Sequence, residues 1–110
     1  MDSALQKKFS INVAKLIEHI YAHKYTCTFG EAFRTPEQAA IYAKEGKGIA
    51  DSQHCKRLAI DLNLFDPSGK YLTDVAGHKQ FGEYWKTLDP KHRWGGDWTT
   101  GDANHYELKD

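Results

Sequence analysis

The sequence predicts a small fold that mixes helices with short strands, and three stretches predict it. Near the N-terminus, Leu5, Phe9, Val13, Leu16, Ile17, Ile20 and Tyr21 recur at helical spacing, with Lys7, Lys8, Lys15 and Glu18 off the stripe. In the middle, Leu58, Ile60, Leu62 and Leu64 alternate with Ala59, Asp61 and Asn63, the two-residue period of a strand. Later, Phe81, Tyr84, Trp85 and Leu88 return to helical spacing. A chain of 110 residues can bury one core and little more, so a single domain over residues 1–110 is expected.

Taken in order, the first stripe gives a packing helix over about residues 3–23, capped by Asp2 or Ser3. His19 and His23 lie on it four apart, a spacing that can grip a metal, but they lack an acidic neighbour in a zinc-protease pattern and read as surface histidines. Tyr25 to Phe33 reads as a strand bent at Gly30. Thr35 then serves as N-cap, Pro36 takes the first helical position and Gln38 can close a capping box, so a short helix follows through Ala43. Arg34 is thereby pinned at a strand-to-helix junction. Glu45 to Asp51 is a polar, glycine-bearing loop. Asp66-Pro67-Ser68-Gly69-Lys70 is a turn, with Tyr71 and Leu72 as a short returning strand. A helix over about 75–88 ends at Asp89-Pro90. Two tryptophans, Trp94 and Trp98, flank a Gly-Gly-Asp turn, and a short strand closes the chain.

Composition excludes several function classes. Fifteen basic residues balance fifteen acidic ones, which removes the basic excess that nucleic acids or anionic membranes demand. No stretch approaches the ~20 apolar residues of a membrane span. Met1 to Lys8 is not followed by the apolar region of a secretory signal, so a cytoplasmic chain is expected. Cys27 and Cys55 read as free thiols. Cys55 adjoins His54, but neighbours in an extended segment point to opposite sides, so it is expected as a buried thiol and not a ligand.

The chemistry gathers around Ser52 to Asp61. His54 precedes the central strand and Asp61 lies on its polar face, where an aspartate is out of place unless that face meets water or a ligand. His105, near the C-terminus, completes a His-Asp-His set. Three protein ligands with one position left open are the pattern of catalytic zinc. Such a site also needs a carboxylate that is not a ligand to take a proton from water. Asp102, three residues before His105, and Glu107, two after it, are both candidates, and spacing does not separate them.

Motifs carry the reading further. Ser52-x-His54 followed by Ala59-x-Asp61 resembles the Ser-x-His-x-x-Gly-x-Ala-x-Asp signature of the M15 zinc peptidases. Asp102-Ala103-Asn104-His105 is similar to that family's acidic-x-x-His motif, and Trp94-Gly95-Gly96-Asp97-Trp98 to a run found in its phage enzymes. Phe33-Arg34-Thr35-Pro36-Glu37-Gln38 resembles the segment whose arginine steadies the reacting carbonyl. Arg57 stands in place of the signature glycine, and Asn104 where a proline is common before the histidine.

The resemblance implies an α+β fold, a small antiparallel sheet packed against helices as in hedgehog domains and DD-peptidases. It implies Zn2+ on His54, Asp61 and His105, Asp102 as base in preference to Glu107, and Arg34 at the oxyanion, with Ser52, Gln38 and Trp98 orienting substrate or ligands. The expected partner is the peptidoglycan stem peptide, and the expected state is a monomer. The Trp94–Trp98 run leans the bond toward L-alanyl-D-glutamate and the role toward a phage endolysin. Such an enzyme waits in the host cytoplasm and reaches the wall after release through the inner membrane. The competing readings are a D-alanyl-D-alanine carboxypeptidase and a non-catalytic hedgehog-like zinc module. The presence of Asp102 speaks for an enzyme.

Overall fold

A computed structural model describes residues 3–48 and 52–110. Helix α1 runs Ser3–Ala22 and is followed by strand β1, Thr26–Phe29. Helix α2 spans Pro36–Lys44, a short 3₁₀ helix Gln53–Lys56, and strand β2 Ala59–Phe65. Strand β3 is Tyr71–Leu72, helix α3 is Val75–Thr87, strand β4 is His92–Trp94 and strand β5 is His105–Leu108, with a 3₁₀ turn at Gly95–Asp97. The strands form one antiparallel sheet in the order β1-β2-β5-β4, with β3 also paired to β2. This is the expected α+β architecture.

The core lies between the sheet and helices α1 and α3. Phe9, Val13, Leu16 and Ile20 of α1 meet Phe81 and Trp85 of α3 and the apolar face of the strands. On β2 that face is Ile60, Leu62 and Leu64, and on β5 it is Tyr106 and Leu108. Period-two alternation then forces Asp61 and, on β5, His105 and Glu107 onto the opposite face. Trp94 fixes β4 against α3 at a glycine: a Cβ on Gly82 would lie 2.1 Å from the Trp94 ring, so only glycine lets the two approach.

Several expectations are corrected. Ser3 lies inside α1 and is not its cap, and Asp2 falls outside the described residues, as do 49–51 of the loop before Ser52. The strand expected over 25–33 ends at Phe29. Beyond it, Gly30 N–H donates to the Asp61 carbonyl (2.7 Å) and Asp61 N–H to that of Glu31 (2.9 Å), and Arg34 N–H then donates to the carbonyl of His54 (3.2 Å). Residues 30–34 are therefore a strap stitched to two elements, not a strand in one ladder. Strand β4 was not foreseen. His19 is half-buried and stacks on Tyr84 at 3.7 Å, while His23 is exposed. Cys55 is half-buried, its Sγ turned to the Thr35 carbonyl at 3.9 Å. Thr35 caps α2 as expected, its Oγ1 accepting from Gln38 N–H at 3.1 Å. No helix of the described residues is long and apolar enough to cross a membrane.

Candidate metal centre

Strand register brings two of the three candidate ligands together. Asp61 and His105 are directly opposed across β2 and β5, so their side chains stand side by side on the polar face. His54 arrives from the 3₁₀ helix. Ser52 caps that helix, its Oγ accepting from His54 N–H at 3.2 Å. Gln53 Nε2 donates to the Leu108 carbonyl at 2.7 Å and ties the helix to β5.

One ligand atom from each of His54, Asp61 and His105 lies within 4.8 Å of the others. Asp61 Oδ1 is 3.2 Å from His54 Nε2 and 3.2 Å from His105 Nδ1. The remaining ring nitrogen of each histidine is held from behind. The Ala32 carbonyl accepts from His54 Nδ1 at 3.1 Å, and Glu107 Oε1 accepts from His105 Nε2 at 2.6 Å. Two imidazoles with their free nitrogens turned to one carboxylate, each backed by a fixed acceptor, are a donor set that fits zinc. Cys55 is not in the group.

The site's electrostatics follow from the same contacts. Burial alone would push Asp61 up, but hydrogen bonds from His105 and His54, with their charges, hold it at about 2. Burial works against a charge on His105, yet hydrogen bonds to Asp61 and Glu107 and their charges raise it to about 9. Asp102 moves the other way from Asp61, because desolvation pushes it above the ordinary carboxylate value and nearby cations only partly compensate. Its Oδ2 is 3.9 Å from His105 Nδ1, and its side chain remains 49% exposed.

The group lies in a cleft of about 910 Å3 whose lining includes Arg34, Ser52, Trp98 and Asp102. Arg34 is held by Glu31, whose Oε1 accepts its Nε–H at 2.7 Å and also pairs with its Nη2. The Trp98 ring lies 4.9 Å from that of His105 and forms a partly exposed wall. Gln38 is not among the lining residues, and its backbone N–H caps α2 through Thr35. Glu107 is separated from Asp102 by its surroundings. It is buried, and both oxygens are committed, Oε1 to His105 and Oε2 to Arg93 Nε at 2.7 Å. Strand parity placed Glu107 beside His105 in the sequence. Its partner Arg93 could not be found there without β4.

Arg57 occupies the position of the signature glycine with a left-handed backbone, φ 58°, as the C-cap of the 3₁₀ helix. The chain thus imposes on an arginine a conformation that glycine adopts more readily. The Arg57 guanidinium lies 4.0 Å over the Phe33 ring, a cation–π contact that offsets part of the strain.

Comparison with known proteins agrees with this geometry. A family model described as D-alanyl-D-alanine carboxypeptidase, of the M15 peptidases, matches residues 45–108, more than half of the chain. No curated protein matches. Among solved structures, the Serratia marcescens L-Ala D-Glu endopeptidase ChiX is similar with a TM-score of 0.70 at 17% identity, covering 97% of this chain and 85% of ChiX. The vancomycin-resistance D,D-pentapeptidase VanY from a VanB-type cassette, in complex with Zn(II), gives 0.61 at 17% identity, covering 91% of this chain and 70% of VanY. At that identity the two structures speak for the fold.

Proposed function

The chain belongs to the M15 family of zinc peptidases that act on peptidoglycan, and from that premise we propose that it cuts the stem peptide at the L-alanyl-D-glutamate bond, as a phage-type endolysin. The observation that carries the catalytic part is the His54–Asp61–His105 group in a cleft rimmed by Asp102 and Arg34. The bond preference is supported by the Trp94–Trp98 run and by the likeness of the fold to ChiX. The endolysin role is supported by the same run, which resembles the phage enzymes.

His54, Asp61 and His105 would hold zinc. Zinc bound there would supply Lewis-acid chemistry, polarising a carbonyl and lowering the pKa of water toward ~7. Asp102 takes the proton of the attacking water and later returns it to the leaving amine, a role suited to a carboxylate raised by desolvation yet open to the cleft. Glu107 is unavailable for that task because His105 and Arg93 occupy its oxygens. Arg34, immobilised by Glu31, presents a fixed cation where negative charge develops on the carbonyl oxygen, a type of contact that can contribute ~2.7–4 kcal/mol. Trp98 gives the substrate an apolar wall beside His105.

Digestion of purified peptidoglycan with mass spectrometry of the new termini tests the bond. New N-terminal D-glutamate on released peptides is the expected result. Release of free D-alanine alone would assign the chain to the carboxypeptidase reading that the matching family description favours. The endolysin role is tested by expression in a Gram-negative host. Lysis should follow only when the inner membrane is permeabilised, and lysis with that membrane intact would refute the role.

A further inference from the structure

On the polar face of the sheet, Ala59 and Arg93 are the cross-strand partners of Glu107, on β2 and β4 respectively. The next pair along is Asp61 and His105. Ala59, opposite Glu107, is small, and Glu107 Oε1 reaches His105 Nε2 at 2.6 Å. The result is a line of contacts from the exposed Arg93, through the two oxygens of Glu107, to Nε2 of His105. The far side of the same ring faces Asp61.

A salt bridge that merely strengthens the sheet is a poor account of this line. The Glu107 side chain is 4% exposed, and burying a carboxylate costs several kcal/mol before any pairing is recovered. An apolar residue opposite Ala59 would fill the space without that penalty. What an apolar residue would not do is fix the imidazole. An unrestrained His105 ring can flip about its Cβ–Cγ bond and place its proton on either nitrogen. With Glu107 Oε1 held 2.6 Å from Nε2, that nitrogen keeps a proton and Nδ1 is the one turned to the site, where a metal would displace its proton.

We propose that Glu107, steadied by Arg93, is a positioning residue that presents Nδ1 of His105 to zinc and tightens its binding. The inference rests on the reading of His54, Asp61 and His105 as the zinc ligands. It gives Glu107, which sequence spacing offered as a rival base, a different task.

Zinc affinity, measured by competition with a chromophoric chelator at one fixed pH, tests it. Glu107→Ala should weaken binding about 10–100-fold, the usual effect of removing a partner behind a ligand histidine. Glu107→Gln keeps an oxygen that can accept from Nε2 and should lose less. Arg93→Ala leaves Glu107 in place but removes the partner of its Oε2, and should weaken binding a few-fold. The rise in melting temperature on adding zinc should shrink in the same order. A purely structural role would lower the melting temperature equally with and without zinc, leaving that rise unchanged. Wild-type affinity in both Glu107→Gln and Arg93→Ala, with wild-type protein binding one zinc, overturns the inference even if Glu107→Ala fails to fold. A wild-type protein that binds no zinc overturns the metal site itself, and this inference with it.

Discussion

Gly95→Ala should disable the enzyme without replacing a candidate ligand or the proposed base. A Cβ at this position would lie 2.2 Å from the Asp102 carbonyl oxygen and 3.0 Å from Cβ of both Asp102 and His105. Unstrained contacts between such atoms need roughly 3.3–3.5 Å, so the Asp102 carbonyl must retreat by about 1 Å. It is not free to do so alone. Asp102 N–H donates to the Gly95 carbonyl at 3.0 Å, and the Asp102 carbonyl accepts from His105 N–H at 3.2 Å. The displacement therefore carries the proposed base Asp102 and the candidate ligand His105 together. A misplacement of about 1 Å can cost on the order of 100-fold in rate, and overpacking of this kind typically destabilises by about 1–3 kcal/mol. The assay is turnover on purified peptidoglycan with zinc in excess, alongside a melting curve. Gly69→Ala is the comparator. Gly69 sits in the β2–β3 turn at φ 90° with nothing within 4 Å of a Cβ, so alanine there should strain the turn and leave turnover unchanged. A folded Gly95→Ala protein that keeps more than about a third of wild-type turnover would refute the reasoning, since a 1 Å shift predicts far less.

Other outcomes follow from the same contacts. Asp102→Asn should keep zinc and lose about 10²–10⁴-fold in hydrolysis, measured beside metal content, and full activity would remove Asp102 as base. Stripping zinc with EDTA should lower the melting temperature, because the metal joins the 3₁₀ helix, β2 and β5; an unchanged curve after confirmed metal loss would contradict that bridge. Arg57→Gly should be about 1 kcal/mol more stable than Arg57→Ala, since both lose the Phe33 contact and only glycine relieves the left-handed backbone; equal melting temperatures would count against strain at this cap. His78 and His92 are buried and lowered below the ordinary 6.5, chiefly by desolvation. His78 faces the Tyr106 hydroxyl, the Leu72 carbonyl and Asp74, while His92 faces Asn12, the Trp85 carbonyl, Asp89 and Lys8. Their contribution is complete above 6.5 and is lost as pH falls below it, because the unfolded chain then binds more protons. A His78→Gln variant should lose less stability than wild type between pH 7 and 5, and parallel curves would show that His78 does not titrate in this way.

What the sequence revealed and what it hid divide along one physical line. Elements whose pattern is written within themselves were legible: the stripe of α1, the stripe of α3 and the alternation of β2 each follow from one periodic run. The candidate ligands His54, Asp61 and His105 were legible through the ordered motifs around them, since spacing alone says little, and the structure brings the three together. Features made by partners distant in the chain were not. Strand β4 is three residues long, and its place is set by Trp94 packing against Gly82, which no local pattern records. Without β4, Arg93 has no visible connection to Glu107, and the task of Glu107 stays hidden behind its spacing from His105. The strap at residues 30–34 misled in the opposite sense. Its composition suits a strand, but its backbone groups are spent one by one on Asp61 and His54.

That strap ties Arg34 to the same cleft as candidate ligands far from it in sequence. Gly30 and Glu31 bracket Asp61 by backbone hydrogen bonds, Ala32 backs the His54 ring, and Arg34 N–H is bound to the His54 carbonyl. The position of the cation is thus referred to the metal ligands through main-chain bonds, with Glu31 fixing only the direction of the guanidinium. The close approach favours Gly30, where a Cβ would stand 3.1 Å from Asp61 Cβ and push it by a few tenths of an ångström. It asks nothing of the Ala32 side chain, which is exposed, because only its carbonyl is used. Tolerance to substitution along the strap should therefore follow which atoms face Asp61 and His54. A side chain at Gly30 shifts the Asp61 ligand and the Arg34 cation together, whereas a change of side chain at Ala32 shifts neither.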